Sequence, residues 1–245
     1  MDPNLLHSFS KTEKDHWWFY GRRKIVERVL KTATKQLERP DILEIGCGTG
    51  GNLEMLSRYG RLRAIEMDTI ARQTAVRLKV CEVEYGKLPD QIKVQDDSVD
   101  IALMLDVLEH VENDTAALDR VKRLLRPGGH AIITVPALPS MWSAHDDANH
   151  HFRRYTKDSL TQLAIANDLI VEQASYFNTT LFPLAYIERK IVWRKKREYT
   201  PPSTPPFPLN ALLRTVFALE SLWVLTVKPP LGLSLLLSVR KRQSR

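Results

Sequence analysis

A glycine-rich stretch, residues 46–51, follows a short apolar segment, residues 41–45, and this junction constrains the fold more than any other feature. Glycines at the end of a strand let the backbone turn tightly and approach a ligand closely, while the next helix directs its N–H groups toward that ligand. The glycine spacing satisfies both G-x-G-x-x-G and G-x-G-x-G. The junction therefore predicts a cofactor loop at the end of the first strand of an α/β sheet.

Apolar segments and helical patterns alternate after this junction. Strands are predicted at 41–45, 62–65, 80–85, 99–105 and 131–135, and helices at 52–59, 69–78 and from Asn113 to the stop at Pro127-Gly128-Gly129. Short strand–helix–strand repeats predict a parallel sheet with right-handed crossovers. Beyond a polar loop at 136–157, we expect a helix at 158–167 and strands at 169–177 and 232–239.

Composition excludes collagen-like, mucin-like and wholly disordered chains, since 43% of the 245 residues are hydrophobic and 27% are charged. The two cysteines, Cys47 and Cys81, have no CxxC partner and form no disulfide framework or zinc pattern. The start of the chain lacks a signal-peptide pattern, and Glu220 and Lys228 interrupt the longest apolar stretches. We therefore expect a reduced, cytoplasmic compartment.

The chain carries a net charge of +7, from 36 Lys and Arg against 29 Asp and Glu, and much of the basic charge lies late in the sequence. This balance favours polyanions or an anionic membrane surface as partners.

Two carboxylates flank the glycine loop and indicate which cofactor it holds. Glu44 lies two residues before Gly46, where it would repel a pyrophosphate. A ligand that carries an ammonium and a sulfonium would be attracted, which favours S-adenosylmethionine over NAD. Glu66 lies 20 residues after Gly46 at the end of the second strand, where a carboxylate can accept both ribose hydroxyls. An NAD-dependent oxidoreductase stays as an alternative.

Several motifs together resemble the class I S-adenosylmethionine-dependent methyltransferases. They are Glu44-Ile45-Gly46-Cys47-Gly48-Thr49-Gly50, Glu66, Asp106-Val107-Leu108-Glu109-His110 and Arg126-Pro127-Gly128-Gly129, in order over residues 41–135. The flanks resemble a narrower group in that superfamily, whose substrate is unassigned. Its motifs here are His16-Trp17-Trp18-Phe19-Tyr20-Gly21-Arg22-Arg23, Trp142-Ser143-x-His145-Asp146 and His151-x-Arg153-Arg154-Tyr155-Thr156.

The resemblance implies a cofactor site at the loop and at the two strands that follow it. Glu44 would bind the ammonium group, Glu66 would hold the ribose, and Asp106 would face the methyl group and the substrate. The methionine part would lie over Gly46, Cys47, Gly48 and Gly50. Met67 would pack on the adenine, and Lys87 and Leu88 would act at its edge through backbone atoms, because the chain lacks the Asp that many members place there. Alternatives are core packing for Met67 and a helix cap for Asp106.

Three histidines are the candidate catalytic residues, because His110, His145 and His151 follow the fourth and fifth strands at the edge where ligands sit in open α/β folds. A structural role for each is the alternative. The spacing of Glu109, His110 and the loop histidines fits no standard metal pattern, so no metal site is predicted.

Five residues are candidates for binding the substrate. Trp17 and Tyr20 would form a lid, or else pack on the sheet. Asp146, Arg154 and Tyr155 would anchor an anionic group, or else form a salt bridge that fixes the loop.

The chain is predicted to have a cap and an insertion around its core. We expect a helical cap at 1–40, a core at 41–180 and 229–240, an insertion at 181–228 and a basic tail at 241–245. Within the insertion, a basic amphipathic helix with Leu184, Ile187 and Ile191 on one face precedes an apolar helix at 209–225. Both would wall a pocket for a lipid-linked acceptor at an anionic membrane; the alternatives are helices that cover the sheet or a dimer interface.

These inferences predict a Rossmann-like α/β fold: a seven-stranded, mostly parallel sheet with helices on both faces and an antiparallel last strand. The expected activity is methyl transfer from S-adenosylmethionine to a small-molecule or lipid-type acceptor, with O-methylation as the outcome. The positive charge favours an RNA methyltransferase as one alternative, but no RNA-binding module is present, so no nucleic acid partner is expected. The other alternative is a non-catalytic binding protein with this fold. The sequence does not indicate the oligomeric state.

Overall fold

The computed structural model describes residues 12–187 and 204–243. Its strands are β1 (Asp41–Ile45), β2 (Arg61–Glu66), β3 (Glu82–Tyr85), β4 (Val99–Leu105), β5 (Leu125–Pro136), β6 (Leu169–Phe177) and β7 (Ser234–Lys241). Its α-helices are α1 (Trp17–Ala33), α2 (Leu53–Leu56), α3 (Thr69–Arg77), α4 (Asp114–Leu124), α5 (Ala144–Ala148), α6 (Lys157–Ala166), α7 (Phe182–Ile187) and α8 (Phe207–Leu219). Short 3-10 turns lie at Leu108–His110, Pro139–Met141 and Glu220–Leu222.

All seven strands form one sheet in the order β3-β2-β1-β4-β5-β7-β6. The β1–β2, β1–β4, β2–β3 and β4–β5 pairs are parallel, and β7 runs antiparallel to both β5 and β6. This confirms the predicted fold class, including the reversed last strand. The carboxyl ends of β1, β2 and β4 meet at one edge, which is where ligands bind in open α/β sheets.

The sheet is buried on both faces because its central strands are apolar at nearly every position. Leu43 and Ile45 of β1 pack in the core that includes α4 and α6. Ile42, the residue before Leu43, points to the opposite face and packs in the core that includes α1 and α8. Such continuous apolar runs are what a parallel strand covered by helices on both faces requires.

Three segments differ in extent or structure from the sequence-based prediction. β5 begins at Leu125 rather than Ala131, because it pairs with β4 from Leu125 onward across an irregularity in register. The helix expected at 52–59 is limited to Leu53–Leu56, and the Asn52 side chain donates to Glu44 instead of capping it. The loop expected at 136–157 contains a 3-10 turn and α5, whose capping box joins Ser143 and Asp146.

The α8 segment is joined to the end of β6 through one buried carboxylate. Glu220 is 2% exposed. It accepts hydrogen bonds from the backbone N–H groups of Thr179 and Thr180, at 2.9 and 2.8 Å, and from the Thr180 hydroxyl at 2.6 Å. The basic half of the predicted insertion, including Ile191, and the last two residues of the basic tail lie outside the described residues. Within the described ranges, no helix combines the length and apolar character that a bilayer crossing requires.

Helix α1 crosses α8 at a point where a side chain on α1 would not fit. A Cβ on Gly21 would overlap the ring of Phe217, which is fully buried. The rings of Phe177 and Phe217 stack in parallel at 6.3 Å, and both side chains are buried. Gly21 therefore sets how closely the N-terminal helix approaches the insertion.

We expect Gly21→Ala to destabilise the protein, although this change stabilises an ordinary exposed helix by about 1 kcal/mol. Overpacking a filled core costs about 1–3 kcal/mol, which outweighs the gain in helix propensity. Urea unfolding of the wild type and the variant measures the difference. Gly21→Ala should cost less in a Phe217→Leu background, where the ring is absent. A variant that unfolds at higher urea than the wild type would contradict this account of the crossing.

Candidate functional site

The glycine loop connects β1 to the edge of the sheet through unusual backbone angles. Gly46, Gly48 and Gly50 have φ values of 73°, 57° and 95°, a region that favours glycine. The amides of Gly46 and Cys47 both donate to the carbonyl of Ile65 at the end of β2, at 2.8 and 3.1 Å. The loop thus folds across the ends of two strands, and burial raises the pKa of the Cys47 thiol, which keeps it protonated.

Glu44 lies beneath this loop, almost completely buried at 1% exposure. Its Oε1 accepts a hydrogen bond of 2.7 Å from Asn52 Nδ2, whereas its Oε2 has no hydrogen-bond partner among the described residues. Burial raises the pKa of Glu44 to about 8, and Asn52 and Arg22 oppose this shift. A buried carboxyl with an unused oxygen is ready to accept a cationic group.

Glu66 ends β2 beside the loop and is also buried. Its Oε2 accepts a hydrogen bond from the amide of Gly48 at 2.8 Å, and its Oε1 accepts one from the amide of Asp68 at 2.8 Å. The carboxylate is therefore held in a fixed orientation. Each carboxylate oxygen keeps a second acceptor position for a ligand hydroxyl.

The other predicted cofactor residues on this side lie along the edge next to Glu66. Met67 is 52% exposed, which leaves its side chain available to pack on a planar ring and does not fit the alternative of core packing. Lys87 is exposed, and its backbone pairs with Gln91 in both directions, at 3.0 and 2.8 Å. Leu88 is 7% exposed. Lys87 and Gln91 thus form an isolated antiparallel bridge beyond β3.

Arg22 on α1 reaches the centre of the site, which the sequence reasoning did not predict. Its guanidinium forms an ion pair with Asp106 and contacts Asn52 Oδ1 at 3.5 Å. It also lies 4.8 Å from the centroid of the Trp18 ring, in a cation–π geometry. The signal was present in the His16–Arg23 motif, where an arginine follows two tryptophans. Asp106 therefore pairs with an arginine and does not cap a helix.

Glu13 extends the same charged group from the segment before α1. Its carboxylate is bonded to the hydroxyl of Thr49 and faces Gly51, and burial raises the pKa of Glu13. Arg23 Nη1 donates to the carbonyl of Glu13 at 2.7 Å, which holds this segment over the glycine loop. The N-terminal segment thus covers the cofactor side of the sheet edge.

The three predicted catalytic histidines lie together on the other side of Asp106. The ring centroids of His110 and His151 are 4.6 Å apart, and those of His145 and His151 are 6.0 Å apart. His151 Nδ1 bonds to Asp146 Oδ1 at 2.9 Å. Burial and the neighbouring His151 lower the pKa of His110 to about 4, so His110 is neutral at physiological pH.

Asp146, Arg154 and Tyr155 form internal contacts, and the salt-bridge alternative describes them correctly. Arg154 Nε and Nη2 donate to the two oxygens of Asp146 at 2.7 and 2.9 Å, with both side chains buried. Although burial opposes it, hydrogen bonds from His151 and Arg154 hold the pKa of Asp146 well below its usual range. Tyr155 is 4% exposed and donates to Asp114 at 2.9 Å. These contacts fix the loop after β5, and binding of an anionic substrate group by these side chains stays a prediction.

Trp17 and Tyr20 line the junction of α1 and α8. The Trp17 ring packs edge-on against Phe217 at 5.7 Å, and its amide donates to Asn210 Oδ1 at 2.9 Å. The ring of Tyr20 lies beneath the Arg214 guanidinium at 4.2 Å. Trp17 fits the alternative of packing rather than a lid, while Tyr20 borders a surface groove.

The fold and the site together define a class of protein. A seven-stranded sheet of this order, with a glycine loop between two buried carboxylates at its carboxyl edge, is the architecture of the class I S-adenosylmethionine-dependent methyltransferases. A family model described as a methyltransferase domain matches residues 17–174, and the chain belongs to this family.

Individual relatives agree with this membership. The chain is 26% identical over 156 residues to a "Probable S-adenosylmethionine-dependent methyltransferase" of Mycolicibacterium smegmatis, covering 61% of this chain and 58% of the relative. It is 37% identical over 105 residues to a ubiquinone biosynthesis O-methyltransferase of Alkalilimnicola ehrlichii, covering 40% and 42%. An S-adenosylmethionine-dependent methyltransferase structure from Mesorhizobium loti superposes with a TM-score of 0.59 at 16% identity, covering 87% and 96%. The chain thus spans about 40–60% of the length of these curated relatives.

Glu44 makes stability depend on pH in a predictable direction. The folded protein keeps the Glu44 proton up to about pH 8, whereas the unfolded chain releases it near the ordinary value of 4.5. Raising the pH between these values therefore favours the unfolded state. We expect Glu44→Gln to gain stability over the wild type by roughly 1 kcal/mol or more per pH unit across this interval.

Urea unfolding of both proteins between pH 5 and pH 9 measures this effect. Glu54→Gln is the matched control, because the Glu54 side chain is 81% exposed. Glu13, Glu66 and Arg22 are retained in every variant, so the difference isolates Glu44. Parallel pH profiles for the wild type and Glu44→Gln would show that the Glu44 proton is not retained.

Proposed function

We propose that the protein is an enzyme that transfers the methyl group of S-adenosylmethionine to an oxygen atom of a small-molecule or lipid-type acceptor. The observation that carries this proposal is the buried carboxyl of Glu44 below the glycine loop, with one oxygen lacking a hydrogen-bond partner. Family membership supports it, since the matched domain is a methyltransferase domain. The proposed contact is between Glu44 and the cofactor's ammonium group, with Glu66 on the ribose.

The charge of the pocket argues against a dinucleotide at this loop. Glu44, Glu66 and Glu13 all approach the loop, and a pyrophosphate there would face several acidic groups within a poorly screened site. Arg22 is already paired with Asp106. Burial raises the pKa of Glu44 and of Glu13; a ligand with an ammonium and a sulfonium would favour the charged form of these carboxyls, whereas a diphosphate would disfavour it.

Methyl transfer from a sulfonium mainly requires the protein to hold the acceptor oxygen close to the methyl carbon. An oxygen lone pair attacks the methyl carbon in line with the sulfonium, the carbon–sulfur bond breaks, and its electron pair stays on sulfur. Holding the two partners about 3–3.5 Å apart supplies most of the acceleration. An acceptor hydroxyl must also lose its proton, and the cluster of His110, His145 and His151 beside Asp106 supplies the groups for that step.

An oxygen acceptor is favoured by the histidines and by the relatives. A neutral imidazole such as His110 can accept the proton that an acceptor hydroxyl must lose. Matched relatives from several bacteria carry the name ubiquinone biosynthesis O-methyltransferase, and that name pairs O-methylation with a lipid-type acceptor.

Calorimetry tests the cofactor assignment. S-adenosylmethionine and S-adenosylhomocysteine should bind to the full chain, whereas NAD should not. Glu66→Ala should weaken binding by about tenfold to a hundredfold, because each hydrogen bond to a charged group contributes about 1.5–3 kcal/mol. Glu82→Ala, an exposed acid on neighbouring β3, is the matched control and should bind normally.

The same experiment reports on Glu44. Since Glu44 is protonated below about pH 8, binding of a cationic amine at pH 7 should release a proton, visible as heats that vary with the ionisation enthalpy of the buffer. Glu44→Gln should abolish this dependence. Failure of S-adenosylmethionine to bind at millimolar concentration would end the assignment.

A surface groove between α1 and α8 supports the lipid-type acceptor and a peripheral membrane contact. Its lining includes Tyr20, Lys24, Arg214, Phe207 and Leu222. Phe207 is 85% exposed and Leu222 is 69% exposed, beside the two cationic side chains. Exposed aromatic and aliphatic groups next to positive charge match an anionic lipid surface.

Vesicle sedimentation tests this contact. The full chain should sediment with phosphatidylglycerol-containing vesicles at low salt, and less so at high salt as charges are screened. The double variant Phe207→Ala, Leu222→Ala should lose this binding. Ile165→Ala, at a 52% exposed position on α6, is the control and should retain it, because α6 packs in the core on the other face of the sheet. Equal sedimentation of both variants would place the contact elsewhere.

A further inference from the structure

One carboxylate and two imidazoles meet on the acceptor side of the site. A ligating atom from each of Glu109, His110 and His151 lies within 4.8 Å of the other two. Glu109 and His110 lie in the 3-10 turn after β4, and His151 lies in the loop after β5. The amide of Phe152 donates to the carbonyl of Glu109 at 2.8 Å, which fixes these two segments side by side.

Glu109 is the member that points to a ligand. It is 1% exposed, and its Oε2 is buried with no hydrogen-bond partner among the described residues. Leaving a buried carboxyl oxygen without a partner is costly. Asp106 adds a like charge nearby, and Arg22 and Arg154 act on Glu109 from a distance. A cation bound at Oε2 would remove the cost.

The two imidazoles are already oriented as metal ligands are. His151 Nδ1 is bonded to Asp146 at 2.9 Å, so Nε2 is the nitrogen left for a ligand. Asp146 is itself held by Arg154. The main chain of Asn149 hydrogen-bonds the His110 ring. A carboxylate or backbone partner on the second ring nitrogen is the common support for a histidine that binds a metal.

We propose that Glu109, His110 and His151 bind a divalent transition-metal ion of the zinc type, which would coordinate the acceptor oxygen. The inference rests on the proposed methyl transfer to oxygen. Two imidazoles and one carboxylate suit such an ion, and three protein ligands leave a coordination position open. Bond lengths of about 2.0–2.2 Å require the ligand atoms to close by roughly 1 Å.

The three histidines have different roles in the proposed reaction step. A hydroxyl on the ion has a lowered pKa, as metal-bound water does. Its proton passes to His145, whose ring is 6.0 Å from that of His151. The oxygen then attacks the methyl carbon, and the electron pair of the broken carbon–sulfur bond stays on sulfur. His110 and His151 are thus ligands in this scheme, and His145 is the base.

Metal binding to the full chain tests the proposal directly. After treatment with a chelator and its removal, Co²⁺ should bind in a 1:1 ratio and give visible d–d absorption, and Zn²⁺ should displace it in competition with a chromophoric chelator. His151→Asn and Glu109→Gln should each weaken Zn²⁺ binding by more than the 10–100-fold that loss of a supporting partner costs. Thermal unfolding confirms that each variant is folded.

His150→Asn is the matched control. His150 is exposed and adjacent to His151, and its φ of 55° is tolerated by asparagine. It should bind Zn²⁺ as the wild type does. No stoichiometric binding to the wild type, or weakening by His150→Asn but not by His151→Asn, would overturn the proposal. Calorimetry with S-adenosylmethionine on the same metal-free sample separates the two claims: cofactor binding without metal binding rejects the metal site alone.

Discussion

Two ion pairs, one partly buried and one fully buried, hold the site together, because acidic groups crowd the carboxyl edge of the sheet. Arg22 pairs with Asp106 on the cofactor side, and Arg154 pairs with Asp146 on the acceptor side. Removing one partner of a buried pair leaves an uncompensated charge and costs about 3–5 kcal/mol. Arg22 belongs to α1 and Arg154 to the loop after β5. Each ion pair therefore also links an element that covers the site to the sheet edge.

The parallel core could be predicted because local sequence patterns, such as apolar runs and capping residues, determine its strands and helices. Strands at 41–45, 99–105 and 169–177 match the structure to the residue, since their apolar runs are bounded by glycine, polar or turn residues. Asp68 and Asn113 cap α3 and α4, with side chains that accept hydrogen bonds from the first turn. Glu44 and Glu66 were found through their spacing from Gly46, because the loop and the strand end are adjacent in this topology.

Long-range pairing could not be predicted in the same way. For Arg154 and Asp146 the sequence left both a substrate-binding role and a loop-fixing salt bridge open, because it does not show whether two charged side chains eight residues apart fold inward together. Arg22 was missed as a site residue, since its partner Asp106 lies 84 positions away and their contact requires the whole of β1 and β4 to be in place. Glu109 and His151 likewise come together only through pairing of the segments after β4 and β5. In each case the two residues become neighbours only in the tertiary structure.

One short segment after β4 joins the two halves of the site. A Cβ on Gly46 would lie 2.6 Å from Val107 Cγ2, so the residue after Asp106 packs directly on the glycine loop. Three positions later, the His110 ring contacts that of His151. A few residues of backbone thus separate the methyl donor from the proposed acceptor side, which is the scale that in-line transfer requires. Because this segment is fixed by the sheet, we propose that the elements around it, the loop after β5 and the groove between α1 and α8, select the acceptor.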